Sequence, residues 1–195
     1  ITLNAAVFMV DWQDVQQLNR LACGFQFTQN AGEAESRGFE VELVAMPTGG
    51  LMISAAVGYT DATITNAGGV SGVKNGDKVQ GVADLTATLS AQYIWQAFGP
   101  WNGIVRADGN YYGDSYSGNN ESSSASQRLR PSWNALNLRA GIIDDNWEIM
   151  AFIENATDER ANLADSRSIA AETPGRARLV TNRPRTVGMD VRYKF

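Results

Sequence analysis

The segment LTATLSAQYIW (residues 85–95) alternates apolar and polar side chains over nearly its whole length. Leucine, alanine, tyrosine and tryptophan take the odd positions, and threonine, serine and glutamine take most of the even ones. Successive side chains of a strand point to opposite faces of a sheet, so this period of two predicts a β-strand with one apolar and one polar face.

The same period of two recurs along the chain, and no stretch shows a sustained helical period of 3.6. Further segments that alternate are 39–45, 103–114, 136–142, 147–154 and 187–195, with 1–17 and 51–64 alternating less cleanly. We therefore expect an all-β, antiparallel fold of about eight strands.

Composition limits the function. The 195 residues carry 16 Lys and Arg against 21 Asp and Glu, a net charge of −5, and no basic cluster that would follow nucleic-acid phosphates. The chain has no His and one Cys, which removes the usual general base, the His-dependent nucleophiles, a disulfide framework and a thiolate zinc site. We expect no enzyme activity, no cofactor, no metal site and no nucleic-acid partner.

Hydropathy predicts no membrane helix, because a spanning helix needs about 20 apolar residues and the run at 5–10 is only six residues long. Strands of a transmembrane β-barrel hide only half of their residues, and their signal is alternation over about ten residues. No secretory signal opens the chain, so we expect a mature protein or a segment of a longer one.

Connection lengths favour such a barrel. The short connections fall at 47–50, 96–102 and 144–146, and the long ones at 18–29, 65–84, 115–131 and 156–182. This strict alternation puts turns at one end of a sheet and large loops at the other, as in outer-membrane barrels, whereas a soluble sandwich has loops at both ends.

Aromatic residues fall at two levels along the strands, and this also favours a barrel. Near the short turns lie Trp95, Trp101, Trp147, Tyr193 and Phe195, and toward the long loops lie Trp12, Tyr59, Tyr111, Tyr112 and Trp133. Because amphipathic rings are favoured between hydrocarbon and water, we expect two interfacial belts.

Five local patterns occur in the order typical of one family. They are FMVDWQDVQ (8–16), NAG followed by SRGFEVE (30–42), GYTDA (58–62), NATDE (155–159) and PRTVGM continuing to the terminal YKF (184–195). Together they resemble the C-terminal part of the β-barrel of TonB-dependent outer-membrane receptors. Phe39 stands where an aliphatic residue is commoner, and Ala156 where leucine is usual.

The resemblance implies a fold and a function. Residues 1–195 would be the last eight or so strands of a plugged barrel of about 22 strands, in the outer membrane of a Gram-negative bacterium, with the plug domain outside this chain. The implied function is TonB-dependent uptake of a scarce solute such as a siderophore, cobalamin or a saccharide. The implied partners are a small-molecule ligand, outer-membrane lipid, the assembly machinery and the TonB complex, the last through the absent N-terminal part.

Two other interpretations stay open. A self-contained eight-stranded structural or adhesive barrel would have no plug encoded upstream. A soluble carbohydrate-binding β-sandwich would fold in water without detergent or lipid.

Candidate site residues fall into three sets. The last strand ends in an aromatic assembly signal formed by Val191, Tyr193 and Phe195. The polar faces of the strands should line the lumen, because an Arg facing lipid at the bilayer midplane costs about 2–4 kcal/mol; these residues are Glu40, Glu42, Arg106, Asp108, Asn110, Asn137 and Arg139. Possible ligand residues in loops are Asp77, Tyr112, Asp114, Tyr116, Asn119, Asn120, Asp165 and Arg167. Cys23 is expected to be a lone thiol.

Overall fold

The computed structural model describes residues 1–20, 25–70, 72–117, 127–167 and 177–195, and all regular elements in these ranges are strands. Eight of them form one antiparallel sheet in chain order. These are β1 (Thr2–Gln13), β4 (Glu33–Thr48), β5 (Leu51–Asn66), β6 (Leu85–Phe98), β7 (Trp101–Tyr112), β10 (Trp133–Ile143), β11 (Trp147–Glu154) and β14 (Thr186–Tyr193). The expected all-β, antiparallel fold is confirmed. In the described ranges no helix has the length and apolarity to cross a membrane.

Six short strands lie inside the long connections, which were expected to be loops. They pair as β2 (Gln16–Arg20) with β3 (Gln26–Asn30), β8 (Ser115–Tyr116) with β9 (Leu129–Arg130), and β12 (Ala164–Arg167) with β13 (Ala177–Val180). Long loops must satisfy their backbone N–H and C=O groups, and these ladders do so locally.

Tight turns join the sheet strands at the opposite end. Gly49 and Gly50 connect β4 to β5, and Gly50 has a φ of 86°, the positive value that the second central residue of a type II turn requires. Asp144 opens the turn between β10 and β11, where its Oδ1 accepts hydrogen bonds from the backbone N–H groups of Asn146 at 2.8 Å and Trp147 at 2.6 Å. The alternation of short and long connections is confirmed.

The two faces of the sheet differ in chemistry. Leu89 pairs with Ala55 and Gly109, and the face these residues share, called the apolar face, continues to Val187 and Met189 on β14. Ser90 and Asp108 lie on the other side, called the polar face. Side chains of the apolar face are exposed, Leu89 by 57% and Val187 by 71%. Nothing in the described part of the chain packs over this face, unlike the covered inner sheets of a soluble sandwich.

Aromatic pairs delimit the apolar face on the central strands. Tyr93 and Trp95 stack near the turns at 5.7 Å between ring centroids, and Phe39 and Tyr59 stack near the loops at 5.8 Å. The ten residue steps of 85–95 span about 34 Å along β6, or about 26 Å along the membrane normal at a tilt of about 40°. This height matches the band of about 25 Å that faces lipid in outer-membrane barrels.

The predicted outer aromatic belt is wrong for three residues. Trp12 pairs with Ala34 on the polar face, and Tyr112 pairs with Trp133 there, with ring centroids 4.5 Å apart. Neighbouring residues of a strand point to opposite faces, so Tyr111 and Tyr112 cannot both face lipid. Position along the chain predicted the level of these rings but not their face.

The edges of the sheet are β1 and β14, and they do not pair with each other. The structure is therefore an open sheet rather than a closed eight-stranded barrel. Each edge strand presents backbone groups that a further strand can pair with.

Candidate functional site

The polar face brings together the residues that the sequence assigned to a lumen. Arg106 pairs across the strands with Arg139, and Asp108 with Asn137. Asn110 continues the same side of β7, and the strand pairs extend this face to Ala56 and Glu42. Because Glu40 is two residues from Glu42, all seven predicted residues share one face.

A charged cluster lies at the middle of this face. Arg106 Nε donates to both Oδ1 and Oδ2 of Asp108 at 2.9 Å, and Arg106 Nη2 lies 2.7 Å from Oδ1. Ser90 Oγ donates to the same Oδ1 at 2.7 Å from the adjacent strand. The carboxylate of Asp108 is thereby oriented by two strands, and the guanidinium of Arg106 is held against the wall.

Two other charges on this face have no partner among the described residues. Glu40 and Glu42 form no hydrogen bond and no ion pair there, whereas the charge of Arg139 interacts with that of Asp108. The two glutamates, on β4, are exposed, and so is Arg139 on β10. Unpaired charges are stable only in contact with water, so this face requires an aqueous space beside it.

The predicted loop residues mainly support loop structure. Asp77 Oδ2 accepts a hydrogen bond from the Lys74 backbone N–H at 2.8 Å, and Asp114 Oδ1 accepts one from Ser132 N–H at 2.7 Å. Tyr116 belongs to the β8–β9 ladder, and its carbonyl accepts from Gly81 N–H at 2.9 Å. Tyr112 stacks on Trp133, as described above.

These contacts do not test the other predicted loop residues. Asn119, Asn120 and Cys23 lie outside the described residues. Asp165 and Arg167 belong to β12. In the described residues, no group of three or more Asp, Glu, Cys or His side chains could hold a metal ion.

Two long connections are joined by residues that the sequence did not single out. Gln127 Oε1 accepts from Lys78 N–H at 2.9 Å, and Gln127 Nε2 donates to the Lys78 carbonyl at 2.6 Å. Lys78 Nζ in turn lies 2.6 Å from Asp61 Oδ1 on β5, and Asp61 Oδ2 lies 3.3 Å from Arg37 Nη2. The partners are 49 residues apart in sequence, and no local pattern signals such a contact.

The NATDE segment ties both ends of the last long connection. Asn155 is buried, its backbone N–H donates to Asn137 Oδ1 at 2.9 Å, and its Nδ2 donates to the carbonyls of Glu159 and Arg183, each at 2.9 Å. Asp158 Oδ1 accepts from the Arg185 backbone N–H at 2.9 Å. That hydrogen bond, helped by the charges of Arg160 and Arg185 and opposed by desolvation, lowers the pKa of Asp158. The carboxylate therefore stays ionised in this position at neutral pH.

The predicted assembly signal forms an aromatic cluster at the turn end. Val191 and Tyr193 lie on the apolar face. Tyr193 contacts Trp147 with ring centroids 4.7 Å apart, and it meets Phe195 edge-on at 5.1 Å. The exposed ring of Phe195 extends the aromatic level of this end of the sheet.

Comparison with known families explains this geometry. Residues 1–156 match the family model described as "TonB dependent receptor-like, beta-barrel". The chain belongs to this family. Members of the TonB-dependent receptor family are β-barrel proteins of the Gram-negative outer membrane, and the chain is accordingly an outer-membrane protein. The resemblance stated from the sequence motifs is confirmed.

Solved structures show the same fold in TonB-dependent receptors. The chain is similar over 99% of its length to the ferric yersiniabactin uptake receptor FyuA from Yersinia pestis, with a TM-score of 0.79 and 20% identity, covering 27% of that protein. It is similar over 99% to BauA, the ferric preacinetobactin receptor from Acinetobacter baumannii (TM-score 0.71, 18% identity, 27% covered). The siderophore receptor PiuA from the same organism gives 99% coverage, a TM-score of 0.71 and 21% identity, with 26% of it covered.

The chain thus spans about a quarter of the length of these TonB-dependent receptors. No curated protein sequence matches it.

Proposed function

We propose that residues 1–195 form the C-terminal wall of a larger receptor barrel, with the plug domain outside this chain. Three observations support this: the family match, the coverage of about a quarter of each solved receptor, and the unpaired edges β1 and β14. The complete receptor would take up a scarce solute such as a siderophore, cobalamin or a saccharide, with TonB supplying the energy. No catalytic step is part of this function.

The polar face carries this proposal. Glu40, Glu42 and Arg139 are exposed charges on a strand surface whose other side is a continuous apolar face. A sheet with one side suited to lipid and the other to water is what a wall between membrane and lumen needs. The seven polar-face residues would contact water, plug or passing solute.

The proposed partners follow from the same placement. Outer-membrane lipid would contact the apolar face, and a small-molecule ligand would be captured at the loop end. The TonB complex would act through the part of the receptor outside this chain.

Deleting the gene and measuring uptake in the host tests the transport function. Cells lacking the receptor are expected to lose uptake of one radiolabelled solute from a panel of ferric siderophores, cobalamin and oligosaccharides. Reintroducing the full-length gene should restore that uptake only in cells with an intact TonB complex. Unchanged uptake of every solute in the panel, or restored uptake in cells without TonB, would contradict the proposal.

Recognition by the assembly machinery is proposed for Val191, Tyr193 and Phe195. Deleting Phe195 from the full receptor should lower the amount of folded, heat-modifiable barrel in outer membranes. Phe98→Ala is the matched control, because Phe98 is another exposed aromatic residue at the turn end. Equal assembly of the Phe195 deletion and the wild type would argue against the signal.

A further inference from the structure

Two of the long connections touch each other at the loop end of the sheet. The second connection joins β5 to β6 (67–84), and the third connection joins β7 to β10 (113–132). At their base, Gly113 N–H donates to the Leu85 carbonyl at 2.7 Å, and a Cβ on Gly113 would collide with the carboxylate of Asp84. The two connections therefore start in direct contact.

Part of the second connection pairs with the end of β5 as a further strand would. Ile64 N–H donates to the Asp77 carbonyl at 2.8 Å, and Val79 N–H donates to the Ala62 carbonyl at 2.9 Å. Lys78 lies between these two hydrogen bonds in a bridge with β5, so its own N–H and C=O point to the opposite side. The pairing thus creates an open backbone edge at Lys78.

Gln127, from the third connection, occupies this edge. Its Oε1 accepts from the Lys78 N–H at 2.9 Å, and its Nε2 donates to the Lys78 carbonyl at 2.6 Å. A carboxamide offers a donor and an acceptor as a peptide group does, so this side chain takes the place of a neighbouring strand. Its Nε2 also lies 3.4 Å from the Ser117 carbonyl, which ties Gln127 to its own connection.

Backbone hydrogen bonds join the same two connections at two more places. Gly81 N–H donates to the Tyr116 carbonyl at 2.9 Å, and Asp84 N–H donates to the Asp114 carbonyl at 3.4 Å. Together with the contact at Lys78, these bonds connect the two segments at three positions along the second connection.

The second connection is also attached to the sheet. Lys78 Nζ lies 2.6 Å from Asp61 Oδ1 on β5. Apolar side chains of this connection pack against a buried cluster at the loop end of the sheet, and burial of apolar surface stabilises this attachment. The residues of the connection in this packing are Ala67, Val73 and Val79, and those of the cluster are Val15, Ala34 and Ile64.

We propose that the second and third connections open as one unit, with Gln127 as the residue that couples them. Opening of the third connection removes the partner of the Lys78 backbone and weakens the pairing of the second connection with β5. The unit carries Asp77 from one connection and Asp114 and Tyr116 from the other, so these predicted ligand residues keep a fixed spacing. The coupling is a property of the receptor without solute, and it is tested separately from the transport function.

Hydrogen exchange of the full receptor in detergent, read by mass spectrometry, tests the proposal. The informative amides are those of Val79 and Gly81, because their acceptors are the Ala62 and Tyr116 carbonyls and not Gln127. Gln127→Ala should speed their exchange about tenfold, since two hydrogen bonds that hold the unit closed are lost.

Gln80→Ala is the matched control. It removes the same carboxamide from an exposed side chain of the second connection that makes no hydrogen bond among the described residues. Its exchange rates at Val79 and Gly81 should equal those of the wild type. If Gln127→Ala speeds exchange only within the third connection, or leaves all rates unchanged, the two connections are independent and the proposal is wrong.

Exchange of the unmutated receptor in graded urea gives a second, variant-free test. Val79 N–H reports on the second connection, and Ser117 N–H, which donates to the Arg128 carbonyl at 2.9 Å, reports on the third. Segments that open together share one opening free energy and one dependence on denaturant. The two amides should therefore converge on a single line as urea increases. Two lines with different slopes would overturn the proposal.

Discussion

Asn155 is the residue through which the last long connection is anchored to the sheet. Its side chain donates to the carbonyls of Glu159 and Arg183 and accepts from the Glu159 N–H at 3.0 Å. It also adopts a φ of 49°, a left-handed conformation that asparagine tolerates better than most residues. One side chain thus satisfies the backbone at both ends of the connection.

Asn155→Ala should lower the stability of this loop end by about 1–3 kcal/mol, because two part-buried hydrogen bonds to the carbonyls of Glu159 and Arg183 are lost at about 0.5–1.5 kcal/mol each. The measurement is hydrogen exchange of residues 155–163 and 182–186 in the full receptor. Asn162→Ala is the control, because the Asn162 carboxamide oxygen makes no hydrogen bond in the described structure. Equal protection of the two variants would show that the Asn155 network does not anchor the loop.

The sequence predicted a residue's placement correctly where its position in a strand determines the face on which it lies. The alternation identified Arg106 and Asp108 as sharing a face, and the structure pairs them directly. It gave no sign of Gln127, whose contact with Lys78 depends on how two loops meet. The carboxylates of Asp77 and Asp114 were expected in ligand loops, and each is engaged with a backbone N–H of its own loop region.

At the level of strands, one cross-strand pair of β11 and β14 places the ring of Phe152 over Gly188. Phe152 pairs with Gly188, and a Cβ on Gly188 would approach the Phe152 ring to 2.5 Å. The ring covers the backbone that a glycine leaves bare, and the pair would be displaced by any larger residue.

Gly188→Ala should therefore destabilise the receptor by about 1–3 kcal/mol, the usual cost of overpacking. The unfolding transition of the receptor in detergent, followed by heat modifiability, measures this effect. Gly109→Ala is the matched control, since a Cβ there meets nothing closer than 3.8 Å. A Gly188→Ala receptor as stable as Gly109→Ala would contradict the packing role of the ring.

Charge placed on either face of β6 should have opposite consequences. Leu89→Arg puts a guanidinium toward lipid and is expected to cost about 2–4 kcal/mol and reduce assembled barrel. Thr88→Arg puts the same group on the polar face, where it should be tolerated. The amounts of folded receptor in outer-membrane fractions compare the two variants, and equal losses would mean that the faces are wrongly assigned.

Strand-level prediction was strong because alternation is a local property of the sequence. The eight sheet strands and the order of short and long connections all follow from it. The short ladders β2–β3, β8–β9 and β12–β13 were missed because each has at most five residue pairs. Such segments form by pairing within a loop and carry too few residues to show a period.

For the whole molecule, the organisation is inverted relative to a water-soluble protein. Large apolar side chains such as Leu89 and Met189 are exposed, while the buried hydrophobic cluster of Val15, Ala34 and Ile64 is small and lies under the loop end. Lipid replaces the missing protein core on one face, and charged groups require water on the other. The hydropathy of the chain stays average because both surfaces are counted together.

Site-directed spin labelling along residues 85–95 is the measurement that tests this two-faced organisation most directly. Single cysteines would be introduced in a Cys23→Ser background of the full receptor, reconstituted in lipid vesicles. Power saturation should show high oxygen accessibility at the odd positions and high accessibility to a water-soluble nickel chelate at the even ones. Strict alternation, with the two reagents out of phase, is the predicted result. Equal access of the nickel chelate to Leu89→Cys and Thr88→Cys would contradict the assignment of lipid and lumen faces.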